Sequence, residues 1–170
     1  MTTPKAKLAG LALIAALCTG GTLGLTAPAW AGMDEAVAAY QRGDYATALR
    51  EWRPLAEQGY ADAQFNLGVT YEFGQGVPQD FAEAARWYRK AAEQGLAEAQ
   101  SLLGSMYDIG LGVPQDYVQA HMWHNLAASR FPLGENRNTA VKNRNKIAKR
   151  MTPAQISEAQ KLAREWKSKK

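Results

Sequence analysis

Residues 56–91 read AEQGYADAQFNLGVTYEFGQGVPQDFAEAARWYRKA, and residues 92–127 continue with AEQGLAEAQSLLGSMYDIGLGVPQDYVQAHMWHNLA. Nineteen of the 36 aligned positions are identical, and the alignment needs no gap. A shorter and more divergent copy precedes them at 33–55, where RGD replaces the long glycine-proline loop. A fixed period of about 20 to 50 residues is typical of repeat proteins. The sequence therefore predicts a stack of repeated units.

Each unit has the pattern of two consecutive helices. Its first half carries apolar residues at a spacing of four, such as Ala63 and Leu67, which indicates one face of a helix. Glycine inside a helix costs about 1 kcal/mol relative to alanine. Because both copies keep a glycine after the leucine, Gly68 and Gly104, we expect another helix to pack closely against it. Positions identical in both copies predict the scaffold, namely Leu67, Gly68, Tyr71, Trp87, Leu103, Gly104, Tyr107 and Trp123.

The stretch GQGVPQD (74–80), repeated as GLGVPQD (110–116), predicts the corner between the two helices of a unit. Its first glycine can adopt the left-handed conformation that ends a helix. Asp80 is a predicted N-cap, and Glu83 three residues later completes a capping-box pattern. A phosphate-binding loop is a weaker interpretation, because no Lys-Ser/Thr pair follows the glycines and no strand precedes them.

The pattern AxAQxxLGxxYxxGxGVPQDxxxAxxW resembles the repeat of the Sel-one-like family, a branch of the tetratricopeptide superfamily. The resemblance covers residues 33–128 and is strongest over 56–127. It implies an all-α, right-handed α-solenoid of helix-turn-helix repeats that bind other proteins. Some cysteine-rich relatives are linked to penicillin binding or hydrolysis, but their paired cysteines are absent here. Residues 130–170 are expected to form basic capping helices that close the end of the stack.

The first 31 residues have the layout of a secretory signal peptide. Two lysines precede the apolar run LAGLALIAAL (8–17), and small residues lead to AWA (29–31). We expect cleavage between Ala31 and Gly32, with a site two residues earlier as the alternative, and a periplasmic or secreted protein. A membrane anchor is the other interpretation, although the run is shorter than the roughly 20 residues of a spanning helix. The single cysteine, Cys18, lies in this segment, so disulfides are not expected.

Charge is distributed unevenly along the chain. Residues 32–129 contain 6 basic and 13 acidic residues, whereas residues 130–170 contain 12 basic and 3 acidic residues. The basic stretch KNRNKIAKR (142–150) is a candidate for weak contact with anionic surfaces, and a solvated helix face is the alternative. Nucleic acid is not an expected partner, because no aromatic residue alternates with these charges.

The sequence contains no recognisable catalytic or cofactor-binding motif, so no enzyme activity, cofactor or metal is predicted. His121 and His124 lie one turn apart in HMWH, which is one half of a metal-binding pattern. No third ligand accompanies them at the spacing of a tetrahedral site. The alternative is that His124 replaces an aromatic residue at a helix interface, because it takes the position of Tyr88 in the preceding unit.

Function is predicted from the first helix of each unit, which by analogy with tetratricopeptide grooves lines a concave surface. We predict a monomeric, non-enzymatic scaffold of the cell envelope that binds a protein or peptide there. The alternatives are an envelope hydrolase acting on a β-lactam or a wall fragment, and a structural protein that self-associates. For the two apolar groove residues, the alternative is contact with the first helix pair. The predicted groove residues are Asp62, Phe65, Val69, Glu72, Glu98, Ser101, Ser105 and Asp108.

Overall fold

The computed structural model describes residues 29–168, which form eight α-helices and no strand. The all-α class predicted from the 36-residue period is therefore confirmed, whereas the predicted signal peptide falls largely in residues 1–28, outside the described part. None of the described helices is long and apolar enough to span a membrane. The helices are α1 (Ala29–Gln41), α2 (Tyr45–Glu57), α3 (Ala61–Phe73), α4 (Phe81–Gln94), α5 (Ala97–Ile109), α6 (Tyr117–Arg130), α7 (Glu135–Ala148) and α8 (Pro153–Ser168).

The corner between α3 and α4 has the caps that the glycine-proline motif predicts. Gly74 ends α3 in the left-handed conformation, with φ of 65°. Asp80 begins α4, and its Oδ1 atom accepts hydrogen bonds of 2.9 Å from two backbone N–H groups of the first turn. The corner between α5 and α6 repeats this arrangement at Gly110, with φ of 72°, and at Asp116. The two copies of the motif therefore adopt the same local structure.

The reciprocal half of the predicted capping box is replaced by a different bond. The backbone N–H of Asp80 donates to the carbonyl of Tyr71 at 2.9 Å, across the corner, instead of to the Glu83 side chain. A complete capping box occurs at the start of α8. There the N–H of Thr152 donates to Oε1 of Gln155 at 2.9 Å, and the N–H of Gln155 donates to the Thr152 hydroxyl at 3.3 Å.

The second glycine of each corner fixes how successive helix pairs stack. A Cβ atom at Gly112, where φ is 69°, would lie 2.1 Å from the carbonyl oxygen of Phe81. A Cβ atom at Gly76, where φ is 75°, would lie 2.8 Å from Cβ of Tyr45. Only glycine combines a positive φ with so close an approach. Each loop therefore rests on the first turn of the second helix of the preceding pair.

The repeated tryptophans of the second helices belong to two different parts of the core. Trp87 is buried in an N-terminal cluster with Trp52 and Leu67. Trp123 is buried in a second cluster with Leu103 and with alanines of α8. Each tryptophan therefore connects its own pair to a neighbouring element.

The C-terminal helices cap the stack by flanking α6, which packs against α5, α7 and α8. Residues 120–128 of α6 are nearly all buried, so this helix is covered on every side. The centre of the Trp166 ring of α8 lies 6.4 Å from the centre of the Trp123 ring, and the Arg130 guanidinium lies 4.8 Å from the centre of the Trp166 ring. In the described residues α7 and α8 pack on α6 and not mainly on each other, so they do not form another ordinary helix pair.

Candidate functional site

The solvent-facing side of α3 forms the first half of the candidate site. Asp62 and Phe73 are exposed, and Phe73 has 64% of its surface accessible to solvent. Asn66 and Val69 lie between them and are half-buried. These four residues are separated by steps of four, three and four, which puts them on one face of the helix. The predicted groove residues Asp62 and Val69 therefore lie together on this face.

The solvent-facing side of α5 forms the second half and has the same layout. Glu98 and Ile109 are exposed, and Ile109 has 65% of its surface accessible to solvent. Leu102 and Ser105 lie between them and are half-buried. Because α3 and α5 are equivalent helices of successive repeats, their outer sides face the same side of the stack. We call this surface the α3–α5 face; its members are Asp62, Asn66, Val69, Phe73, Glu98, Leu102, Ser105 and Ile109.

Two further predicted groove residues, Phe65 and Glu72, lie at the edge of this face and lean towards α4. The Phe65 ring is half-buried, with its centre 5.7 Å from the centre of the Tyr88 ring. The Tyr88 hydroxyl donates a 2.5 Å hydrogen bond to Oε2 of Glu72. Burial, together with this carboxylate, raises the pKa of Tyr88 well above its ordinary value. Glu72 therefore serves the interior of its own repeat in addition to bordering the site.

Phe65 and Val69, for which contact with the first helix pair was the alternative interpretation, pack against a later cluster. Both side chains pack against the cluster that contains Tyr88 and Leu103, which belong to α4 and α5. The N-terminal cluster around Trp52 does not include them. Their apolar surface is therefore shared between the following helices and solvent.

The last two predicted groove residues, Ser101 and Asp108, lie at the edge of the face that borders α6. Ser101 is half-buried, and its carbonyl accepts a hydrogen bond of 3.2 Å from the Ser105 hydroxyl. Asp108 forms an ion pair of 2.9 Å with Arg150, which follows α7. The same guanidinium lies 4.3 Å from the centre of the Tyr117 ring and donates to its hydroxyl. Asp108 therefore holds the C-terminal cap in place.

Only two of the four predicted groove acids are free to meet a ligand. The side chains of Asp62 and Glu98 are exposed and have no hydrogen bond or ion pair in the described part of the chain. Glu72 and Asp108 are occupied by Tyr88 and Arg150. The acidic character of the site thus comes from the N-terminal turns of α3 and α5.

The predicted groove residues did not include Phe73 and Ile109, the most exposed apolar members of the face. The two residues differ between the copies, which marks first-helix positions outside the scaffold. Their spacing was a further signal, because each lies four residues after a predicted groove position, Val69 or Ser105.

The two histidines of α6 are interior residues. His121 and His124 are both buried, and the Nδ1 atom of each lacks a hydrogen-bond partner among the described residues. Burial lowers the pKa of His124 to about 4, against the opposing influence of Asp108, and burial also lowers the pKa of His121 beside Arg144. No group of three or more potential metal ligands occurs among residues 29–168. His124 thus occupies the interface position that Tyr88 holds in the preceding repeat.

Comparison with known proteins agrees with this architecture. The sequence profile of the Sel1 repeat family matches residues 61–96 and 97–130. A Sel1 repeat protein from Oxalobacter formigenes has a similar crystal structure, with a TM-score of 0.61 and 32% identity over 69% of this chain and 88% of that one. The protective antigen c5321 of uropathogenic Escherichia coli, which displays an SLR fold, has a TM-score of 0.74 and 36% identity over 82% of this chain.

Curated relatives match a shorter segment. DAP3-binding cell death enhancer 1 of rat and of mouse is 42% identical over 38 residues, or 22% of this chain. The chain spans only 8% of those relatives and 30% of the c5321 chain. Sel1 repeats generally act as non-catalytic modules for protein–protein interaction. With its repeats, fold and relatives in agreement, this chain belongs to the Sel1 repeat family.

Proposed function

We propose that this protein is a non-enzymatic scaffold of the cell envelope that binds a protein or peptide segment on the α3–α5 face. The observation that carries the proposal is the pair Phe73 and Ile109, two large apolar side chains that are about two-thirds exposed at equivalent places of successive repeats. Large apolar side chains exposed together on one face of a protein mark a candidate interaction site.

The chemistry of the face favours a peptide with apolar and basic residues. Phe73 and Ile109 offer apolar contact, with Val69 and Leu102 half-buried behind them. Aromatic side chains near the centre of an interface often dominate binding energy. Exposed carboxylates such as that of Glu98 stand at the rim, where charge controls association rate and specificity more than affinity.

Site-specific photo-crosslinking tests this proposal and identifies the partner in the same experiment. A photoreactive phenylalanine analogue replaces Phe73, Ile109 or, as a matched control, Leu133, an apolar residue that is 86% exposed in the turn before α7. We expect positions 73 and 109 to form an adduct with the same protein, and position 133 to form none. Equal adducts from all three positions, or none from 73 and 109, would contradict the proposal.

The proposal includes export and a monomeric state. Export is supported by the signal-like layout of residues 1–31, with cleavage between Ala31 and Gly32. Cleavage there would remove the first three residues of α1 and leave its remaining turns. N-terminal sequencing of exported protein should begin at Gly32, and light scattering across a dilution series should give one constant mass. An intact N-terminus in a membrane fraction would instead indicate an uncleaved anchor.

A further inference from the structure

The helix α7 continues the side of the stack on which α3 and α5 present their outer faces. In the first half of α7, Ala140 belongs to the same buried cluster as Ala97 at the start of α5. Just beyond the end of α7, Arg150 pairs with Asp108 in the last turn of α5. The two helices therefore run side by side in the same direction, and both pack against α6. A ligand that lies across α3 and α5 would meet α7 next.

The outer side of α7 is cationic and free. Lys142, Lys146 and Lys149 are exposed and have no ion pair among the described residues. Asn138, one turn before Lys142, and Asn145 lie on the same side, since these positions recur at three- and four-residue steps. With Val141 and Asn143 they line a shallow depression of about 730 Å³. The depression thus offers ammonium and amide donors, and none of the residues that line it is acidic.

Two arginines of this region, Arg144 and Arg150, already have structural roles, which sets the three lysines apart from them. The Arg144 guanidinium donates to Oδ1 of Asn125 on α6 at 3.0 Å. Arg150 is held by Asp108 and by the Tyr117 ring. No comparable contact explains the lysines, so their charge is available to an anion.

The surroundings of the lysines select the class of anion. Ala140 and Ile147 of α7 are buried and face the core, and Val141 is half-buried, so the exposed outer side of the helix lacks the broad apolar face with which a helix enters a membrane. No aromatic residue lies on its outer side to stack a nucleic acid base. Ammonium and amide N–H groups suit carboxylates, and the continuity with the α3–α5 face suits a single bound polypeptide.

We propose that the outer side of α7 binds an acidic segment of the peptide partner, through carboxylates that contact Lys142, Lys146 and Lys149. This inference rests on the proposed function, because it assigns the second half of the same binding surface. The partner then has a polarity: basic and apolar residues lie over α3 and α5, and acidic residues lie over α7.

The test measures binding of a fluorescent hexaglutamate peptide to the full chain at low salt, with hexaglutamine as the neutral peptide control. The variant Lys142→Gln/Lys146→Gln/Lys149→Gln removes three exposed charges and retains good helix formers. The matched control, Lys161→Gln/Arg164→Gln/Lys167→Gln, removes three exposed charges from α8. Vesicles containing phosphatidylglycerol and free inorganic phosphate are added as competitors.

We expect hexaglutamate to bind, the α7 variant to bind about 10-fold more weakly, and the α8 variant to bind as the unchanged chain does. The proposal is overturned if hexaglutamate binds no better than hexaglutamine, or if both variants lose equal affinity. It is also overturned if the vesicles or phosphate displace hexaglutamate when their anion concentration is lower than that of the peptide carboxylates. The surface would then prefer phosphate to carboxylate. Crosslinking from position 73 does not depend on these lysines. If crosslinking fails, the α3–α5 face is not the binding site, but the measured binding of hexaglutamate to α7 is unaffected.

Discussion

The two complete repeats have the same helix arrangement but differ in the hydrogen bonding of the polar residue buried at their centre, Tyr88 or His124. In the first repeat Tyr88 packs over Gly68 and donates its hydroxyl to Glu72 at 2.5 Å. In the second repeat His124 packs over Gly104, and its Nδ1 atom is buried without a partner in the described chain. The acid equivalent to Glu72 is Asp108, which pairs with Arg150 beyond α7.

Comparison of the two repeats shows which features the fold needs and which features can vary. Both repeats keep the glycine that admits a ring from the second helix, and both keep the same corner caps. In the first repeat the buried Tyr88 hydroxyl bonds to Glu72 of the same repeat. In the second repeat the equivalent acid, Asp108, pairs instead with Arg150 of the C-terminal cap. The second repeat therefore depends on the cap, and its interior contains an imidazole whose pKa is lowered by burial.

The largest expected effect concerns the tryptophans shared by both repeats. Trp87→Ala and Trp123→Ala should each lower the free energy of unfolding by about 3–5 kcal/mol, as expected for a large buried aromatic residue. Denaturant unfolding measures both. Because Trp123 also contacts Trp166, its loss should release α8, detectable as faster hydrogen exchange in that helix. If either variant unfolds like the unchanged chain, the shared frame does not depend on that residue.

The next effect is a dependence on pH that only the second repeat contributes. The pKa of His124 falls from its ordinary 6.5 to about 4 in the folded chain. As pH drops from 6.5 towards 4, the unfolded chain gains a proton that the folded chain does not, so stability decreases, by about 3 kcal/mol. His124→Tyr introduces the residue of the first repeat. It should therefore reduce the change in the free energy of unfolding between pH 6.5 and pH 4, which denaturant unfolding at each pH measures. An unchanged slope would show that other groups cause it.

A smaller effect should distinguish the two central glycines. A Cβ atom at Gly68 would lie 2.5 Å from the Tyr88 ring, whereas one at Gly104 would lie 3.0 Å from the His124 ring. Gly68→Ala should therefore cost about 2 kcal/mol from overpacking, and Gly104→Ala less than about 1 kcal/mol because helix propensity offsets the contact. Thermal unfolding of both variants measures the difference. Equal costs would mean that the two ring contacts are equally adaptable.

The smallest effect should be the same in both repeats. Asp80 and Asp116 make equivalent N-cap hydrogen bonds of 2.9–3.0 Å to the first turns of α4 and α6. Asp80→Ala and Asp116→Ala should each cost about 1 kcal/mol in denaturant unfolding. A clearly larger loss at Asp116 would mean that the C-terminal cap depends on this corner as well.

The sequence predicted the parts of the structure that depend on neighbouring residues and that occur in both repeats. The period, the left-handed glycines and the aspartate caps depend on neighbouring residues, so a repeated heptapeptide was enough to identify them. The pairing of Asp108 with Arg150 could not be predicted, because it joins residues 42 positions apart and has no counterpart in the first repeat. The half-burial of Phe65 escaped prediction for a related reason, since it depends on the Tyr88 ring of another helix.

The most direct test of the central claim, that the α3–α5 face is the binding surface, is the affinity of the crosslinked partner for Phe73→Ala. Titration calorimetry should give binding about 10-fold weaker or more, because an aromatic contact is lost, while the melting temperature stays unchanged because Phe73 is exposed. The control Leu133→Ala should alter neither quantity. Binding of Phe73→Ala with unchanged affinity would contradict the assignment of this face.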